Sequence, residues 1–353
     1  MTEQFGSTPA PGAAGSLLAD PRLRPYLNAA LQLSLQQQDA SARLILEVMA
    51  QLASVRYTIG TYLPRRLLLR QLSTDDAGPW LEWLNGSLLY ADISGSTALA
   101  ERLSKLGREG IEIVTAALNE FFATMLQIIQ GAGGDLLTFG GDALLVLFSG
   151  DNHAHVATRA ALDLLAQLSD FSWTVPDIGT LSLGMHIGVE SGRVALVSAG
   201  APDALRYSAF GDTVNRVAHA EAAGGRAELV VGPGTWQLIA DSSDAAALAA
   251  GYWKVRALHT RPDPIASPVE TLPTGSPDEL VPLLLQQLQR ISPYLPADLL
   301  ARIVADPQRP ALEADLRPVT VCFAQVTGLG PLIETLDPPT AARVLDAVLQ
   351  PMQ

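Results

Sequence analysis

The chain repeats itself over a long period. Tyr62-Leu63-Pro64, followed by Leu67-Leu68, returns as Tyr294-Leu295-Pro296, followed by Leu299-Leu300. An apolar, strand-like run follows each copy. The first ends Leu89-Tyr90-Ala91-Asp92-Ile93-Ser94-Gly95 and the second Cys322-Phe323-Ala324-Gln325-Val326-Thr327-Gly328. After each glycine a Leu, Glu, Leu series recurs at the same steps: Leu99, Glu101, Leu103 and Leu332, Glu334, Leu336. A period this long signals a duplicated domain rather than a solenoid unit. The expected layout is one full domain plus the opening of a second, as in a fragment of a longer tandem protein.

The composition supports packed cores, because 48% of the residues are hydrophobic and only 17% are charged; general disorder is excluded on that balance. The formal net charge of −13 repels phosphate backbones, so no nucleic-acid partner is expected. A nucleotide site is still possible, because bound metal ions reverse the local field. One cysteine, Cys322, rules out an internal disulfide and fits a reducing, cytoplasmic setting. The opening residues lack a basic stretch leading into an apolar core, so no signal peptide is read. No uncharged apolar run approaches the roughly 20 residues that span a bilayer, and no membrane partner is expected.

The pattern divides the chain into five parts. Residues 1–20 read as a disordered tail and 21–84 as a helical segment, where Leu44, Ile45, Val48, Met49 and Leu52 recur at helical spacing. Residues 85–256 read as one mixed α/β domain, 257–281 as a linker, and 282–353 as a helical lead-in and the truncated start of a second domain. Within the main domain Ser87–Ile93 is a buried strand, and 97–106 and 111–130 are helices. Leu136–Phe139 and Ala143–Phe148 flank Gly140-Gly141-Asp142 as a β-hairpin. Residues 154–168 are helical. Leu181–Val189 and Arg193–Ser198 read as a second strand pair turning at Glu190-Ser191-Gly192. Residues 213–223 form a helix, 228–231 a strand, and 235–239 the start of another helix. Trp80 and Trp83 are expected to pack ahead of the first strand, His186 to be a satisfied core histidine, and His153 and His155 to be exposed.

Two carboxylates stand out chemically. Asp92 closes a buried strand, where an unpaired charge is costly. The residues after it, Ile93, Ser94, Gly95, Ser96 and Thr97, turn into a helix, and the free amides of such a turn suit a polyphosphate. Asp142 lies at a glycine hairpin tip, where a ligand can approach the backbone closely. A hairpin beside the Asp92 strand would set both carboxylates around a pair of hard cations, a standard arrangement for phosphoryl transfer.

At these residues the chain resembles the class III adenylate and guanylate cyclases. Tyr90-Ala91-Asp92-Ile93-Ser94-Gly95-Ser96-Thr97 is similar to the family's first metal motif and Phe139-Gly140-Gly141-Asp142-Ala143 to its second. Phe210-Gly211-Asp212-Thr213-Val214-Asn215, with Glu221 following, is similar to the asparagine-bearing motif, and Met185–Gly192 to the strand pair before it. The motifs stand in family order over about residues 85–245. The Tyr-Leu-Pro segment and the tandem layout resemble the soluble adenylyl cyclase subgroup. The resemblance implies a ferredoxin-like α/β (α+β) core working as a dimer of domains. It implies two Mg²⁺ or Mn²⁺ ions at Asp92, the Ile93 carbonyl and Asp142, catalytic roles for Asp92, Asp142 and Asn215, and nucleotide contacts from Ser94, Gly95, Ser96, Thr97, Thr138 and Ser208. The implied reaction is attack of the ribose 3′-hydroxyl of ATP, or of GTP, on the α-phosphate with release of pyrophosphate.

Three positions depart from the family pattern. Thr138 stands where adenylate cyclases often carry a base-reading Lys, Ser208 where they often carry an Asp, and His219 where they carry an Arg. In the second copy Gln325 stands in place of Asp92, and a neutral amide is a poor metal ligand. The implied division of labour has the first copy hold the metals and a second cyclase-like domain, in cis or as a homodimer, supply the rest. Thr138, Ser208, Asn215 and His219 would then line a degenerate site, where a bicarbonate-type regulator is disfavoured for want of a Lys at position 138. Gly140-Gly141-Asp142 is also similar to the diguanylate cyclases, but Ala143-Leu144 replaces their Glu-Phe pair.

Overall fold

A computed structural model of the chain describes residues 17–37, 41–74, 78–95, 107–169, 171–175, 179–266, 273–309, 320 and 326–352. After a short 3₁₀ turn at Pro21–Tyr26 come helices α1 (Ala29–Gln36), α2 (Ala42–Thr61) and α3 (Arg65–Ser73). The main domain then runs β1 (Trp80–Ser94), α4 (Arg108–Gly131), β2 (Asp135–Gly140), β3 (Ala143–Ser149), α5 (His153–Leu168), β4 (Ser172–Val175), β5 (Gly179–Ser182), β6 (Gly184–Ala201), β7 (Ala204–Phe210), α6 (Asp212–Ala222), β8 (Leu229–Val231), α7 (Pro233–Ile239), β9 (Ser243–Ala247) and β10 (Trp253–Leu258). Four helices follow: α8 (Pro277–Ile291), α9 (Ala297–Ala305), α10 (Leu329–Thr335) and α11 (Pro338–Leu349).

The sheet order is β2-β3-β1-β6-β8-β10-β9, with β7 added to β6. Every pair is antiparallel except β6 with β8. The central strands β3 and β6 are buried almost continuously because both faces of the sheet are covered. Leu89, Val146 and Ile187 meet Phe121, Met125 and Leu164 of α4 and α5 on one face, while Leu88, Leu145 and Leu147 meet Leu67 and Val194 on the other. By length and composition alone, Glu112–Gly131 of α4 could also cross a bilayer. Here Ala117, Phe121, Met125 and Ile129 of that helix are buried in the protein.

The region from Gly184 to Ala201 differs from the expected strand pair. It is one unbroken strand, and Glu190, Ser191 and Gly192 sit mid-strand opposite Leu88, Ser87 and Gly86 of β1. These residues look like a turn only until their partners are seen. The Glu190 carboxylate accepts from the amides of Gly234 (3.2 Å) and Thr235 (3.4 Å) at the start of α7 and pairs with Arg216 (3.1 Å). The Ser191 hydroxyl lies 2.6 Å from Ser87 Oγ and 2.7 Å from Thr235 Oγ1. The hairpin turn comes later, at Pro202-Asp203 between β6 and β7. Strand β1 also starts earlier than expected and takes in Trp80 and Trp83; Trp80 packs under Arg70, 4.2 Å from its ring, and against Tyr207.

The two Tyr-Leu-Pro copies meet. Helix α2 packs on α8, while α3 touches α8 and α9 touches α2, so repeat-related helices contact one another reciprocally. Their shared core includes Val48, Leu52, Val55, Leu284, Leu288 and Ile291. The later helices α10 and α11 lie on the main sheet instead. Ile333, Ala341, Ala342 and Leu345 pack against Leu81, Ala195, Val197 and Ala199, and Asp346 accepts from the Gly200 amide at 2.8 Å. Gln325 and most of the strand expected around it lie outside the described residues, as does the expected helix at 97–106.

Candidate active site

The register of the sheet builds the site. Asp92, near the end of β1, lies opposite Ala143 of β3 and opposite His186 of β6. Ala143 directly follows Asp142, so the hairpin tip sits beside Asp92. Gly141 has φ +79, a conformation that glycine adopts without strain at such a tip. On the β6 side the helix α6 comes very close, because Gly188 has no side chain. A Cβ there would lie 2.4 Å from the Glu221 amide nitrogen and 2.5 Å from the Val217 carbonyl oxygen. That approach lowers Glu221 onto His186, with Glu221 Oε1 2.5 Å from His186 Nε2. His186 Nε2 is in turn 3.8 Å from Asp92 Oδ2.

The electrostatics follow from this crowding. Burial raises the Asp92 carboxyl above its ordinary pKa, and the Asp142 charge pushes it further the same way, while His186 opposes both. Burial also raises Glu221, with His186 lowering it and Asp92 raising it. The Tyr90 hydroxyl is pushed up by burial and then by Glu221, Asp92 and Asp142. Among the described residues, three carboxylates therefore share one rim with the imidazole of His186. Ser94 Oγ, two residues on, is buried without a hydrogen-bond partner among the described residues, a cost that a bound polar group would remove.

The sequence model of the adenylate and guanylate cyclase catalytic domain matches residues 84–260. The chain belongs to that family. Among curated relatives, it is similar to adenylate cyclase 1 of Rhizobium meliloti, 27% identical over 45% of this chain and 24% of that one. It is also similar to human adenylate cyclase type 10, 25% identical over 51% of this chain and 11% of that one. The adenylate cyclase of Anabaena cylindrica is 30% identical over 36% and 25% of the two chains. The chain thus spans a quarter or less of the length of these relatives. Among solved structures, it is similar to the guanylate cyclase domain of RhGC from Catenaria anguillulae in complex with GTP, at 21% identity, TM-score 0.44, covering 50% of this chain and 99% of that one. The adenylyl cyclase CyaB from P. aeruginosa gives 23% identity, TM-score 0.42, and 52% and 98% coverage.

Within this cyclase domain the expected site residues fall into separate groups. Asp92 and Asp142 meet, with the buried Ile93 between Asp92 and Ser94 on the same strand. Gly95 forms the turn after β1, and Ser96 and Thr97 lie outside the described residues. Thr138 is exposed on β2, where its hydroxyl donates to the Phe139 carbonyl at 3.2 Å. It lines a cavity of about 270 Å³ with Tyr62, Pro64, Leu67, Arg206 and Tyr207, at the seam between the N-terminal helices and the sheet. Ser208 sits on β7 opposite Val197, beyond the Gly86–Gly192 crossing from Asp92. Asn215 and His219, at i and i+4, share the exposed side of α6, while Val217, Ala220 and Glu221 turn inward.

His186 is a satisfied histidine, as expected, but its partner is Glu221 and its other neighbour is Asp92. His153 and His155 are part-buried rather than exposed, because His153 Nδ1 lies 2.8 Å from Ser87 Oγ and His155 Nε2 3.2 Å from Ser242 Oγ.

Proposed function

We propose that this chain carries the cation-binding half of a cyclase that converts ATP to 3′,5′-cyclic AMP and pyrophosphate in intracellular signalling. The observation that carries the reading is the meeting of Asp92 and Asp142 at the open end of the central strands, in a rim where burial and then the Asp142 charge raise Asp92. Such a rim is costly as it stands and fits divalent cations, since hard oxygen donors suit Mg²⁺ or Mn²⁺. Asp92, the Ile93 carbonyl and Asp142 would hold two ions, which when bound would activate the 3′-hydroxyl and neutralise phosphate charge. Ser94 and Gly95, with Ser96 and Thr97, would place the phosphates, and in-line placement would supply much of the rate. ATP is favoured over GTP by the named adenylate cyclase relatives.

The base-reading and transition-state groups would come from a second cyclase-like domain. The packing of α10 and α11 on β1 and β6 favours that partner in cis over a homodimer. Thr138, Ser208, Asn215 and His219 would line the other, degenerate site. A cytoplasmic setting fits the single thiol of Cys322.

The test is product formation with Mn²⁺ by the complete gene product, by residues 1–353 alone, and by the complete product carrying Asp92→Ala. Cyclic AMP from the first, loss in the third and near silence of the fragment are expected. Cyclic GMP instead would change the substrate. Nucleotide binding with no product at all would leave a non-catalytic regulatory module.

A further inference from the structure

We propose that His186 and Glu221 extend the Asp92 site into a nitrogen-containing cation site, suited to Mn²⁺, Co²⁺ or Zn²⁺ rather than Mg²⁺. The proposal rests on the reading of Asp92 as a metal ligand.

The ligand atoms of Asp92, His186 and Glu221 all lie within 4.8 Å of one another. They come from three elements, β1, β6 and α6, locked by the β1–β6 register and by the close seat of α6 over Gly188. Ligands around one ion of this kind, at about 2.0–2.2 Å from it, stand roughly 3–3.5 Å apart. The His186–Glu221 contact of 2.5 Å would open and the His186–Asp92 contact of 3.8 Å would close, each by less than about 1 Å. Rotations of the three side chains suffice for such shifts. Asp142 neighbours Asp92 from the hairpin, and the three-residue group itself offers one imidazole and two carboxylates. Imidazole suits Zn²⁺ and the later first-row ions best and holds Mn²⁺ more weakly, since affinity rises along that series, whereas Mg²⁺ keeps to oxygen. The competing account makes His186 and Glu221 an ordinary ion pair beside an all-oxygen site.

Pulsed electron paramagnetic resonance of Mn²⁺ bound to the protein separates the two, because an imidazole ligand imprints ¹⁴N modulation on the manganese echo. The native protein is expected to show it. His186→Gln is expected to lose it and to bind Mn²⁺ about 10–100-fold more weakly by calorimetry, with Mg²⁺ affinity little changed. Glu221→Gln keeps the imidazole, so it should weaken Mn²⁺ binding while retaining the modulation; it serves if the histidine variant fails to fold. Manganese bound without ¹⁴N modulation overturns the proposal and leaves the Asp92 reading standing. Binding that Asp92→Asn does not weaken overturns the Asp92 reading itself.

Discussion

Strands β1 and β6 run side by side for their whole paired length, yet their two ends are built in opposite ways. At one end Asp92, Asp142, His186 and Glu221 crowd polar groups into a part-exposed rim. At the other, Leu81, Val197 and Ala199 are sealed by Ile333, Ala342 and Leu345. Burial of such apolar side chains contributes about 1.5–3 kcal/mol each for the larger ones, while unrelieved like charges cost stability. The strand pair therefore has an end that holds the fold and an end that the fold holds. Gly86 opposite Gly192 marks the crossing between them.

The sealed end gives the largest expected effect on stability. Leu345 is fully buried on α11, so Leu345→Ala should cost about 2–5 kcal/mol. Hydrogen exchange should show the loss concentrated in 329–349, and calorimetry should find Mn²⁺ affinity unchanged. A matching fall in Mn²⁺ affinity would show that the two ends are coupled.

Gly188→Ala attacks the rim from beneath. The added methyl meets backbone of α6, which has no flexible end to swing away, so overpacking should cost about 1–3 kcal/mol. Glu221 should lift from His186 and Mn²⁺ affinity should drop. A variant as stable as the parent with unaltered Mn²⁺ binding would mean that the close seat of α6 is not what shapes the site.

The cost of the rim is itself measurable. Asp92 and Glu221 are raised from 3.8 and 4.5, chiefly by burial. A carboxyl raised on folding stabilises fully below its unfolded value and loses that contribution as pH rises through the folded value. Metal-free protein should thus weaken as pH climbs above about 4. Asp92→Asn should remove part of that loss and raise the metal-free melting temperature at pH 7 by a few degrees, on the order of 1 kcal/mol after solvent screening. A lower melting temperature would show that the Asp92 charge is well compensated and that the rim carries no strain.

Much of the rim could be read in the sequence, because a carboxylate closing an apolar strand and another at a glycine tip are local signals. The resemblance carried by Asp92 and Asp142 also led to the fold. What could not be read depends on register. Nothing near Met185 or Glu221 in sequence says that β6 lays His186 opposite Asp92. The hint available was Glu221 four residues after Val217, on the inward face of α6. Glu190, Ser191 and Gly192 misled for the same reason, since their partners are Gly234, Thr235 and Ser87, far away in the chain. The seal of α11 over β1 was also out of reach, because the pattern of a helix shows which face is apolar but not which surface receives it.

The crossing itself carries the smallest predicted effect. Ser87, beside Gly86, joins His153 Nδ1 at 2.8 Å and, through Ser191, Thr235. Burial lowers His153 from 6.5, with the His155 charge adding to it. A histidine lowered on folding gives stability that is present above the unfolded value and is lost as pH falls through the folded one. Stability should therefore decline as pH drops below about 6.5, even where the rim carboxylates pull the other way. His153→Gln keeps a polar partner for Ser87 and removes the titration, at a cost of about 1 kcal/mol or less at neutral pH. Urea midpoints compared at pH 7.5 and 5.5 should show a smaller acid loss in the variant than in the parent. An equal loss in both would place the acid sensitivity away from the crossing, and the two ends would then be joined only by backbone.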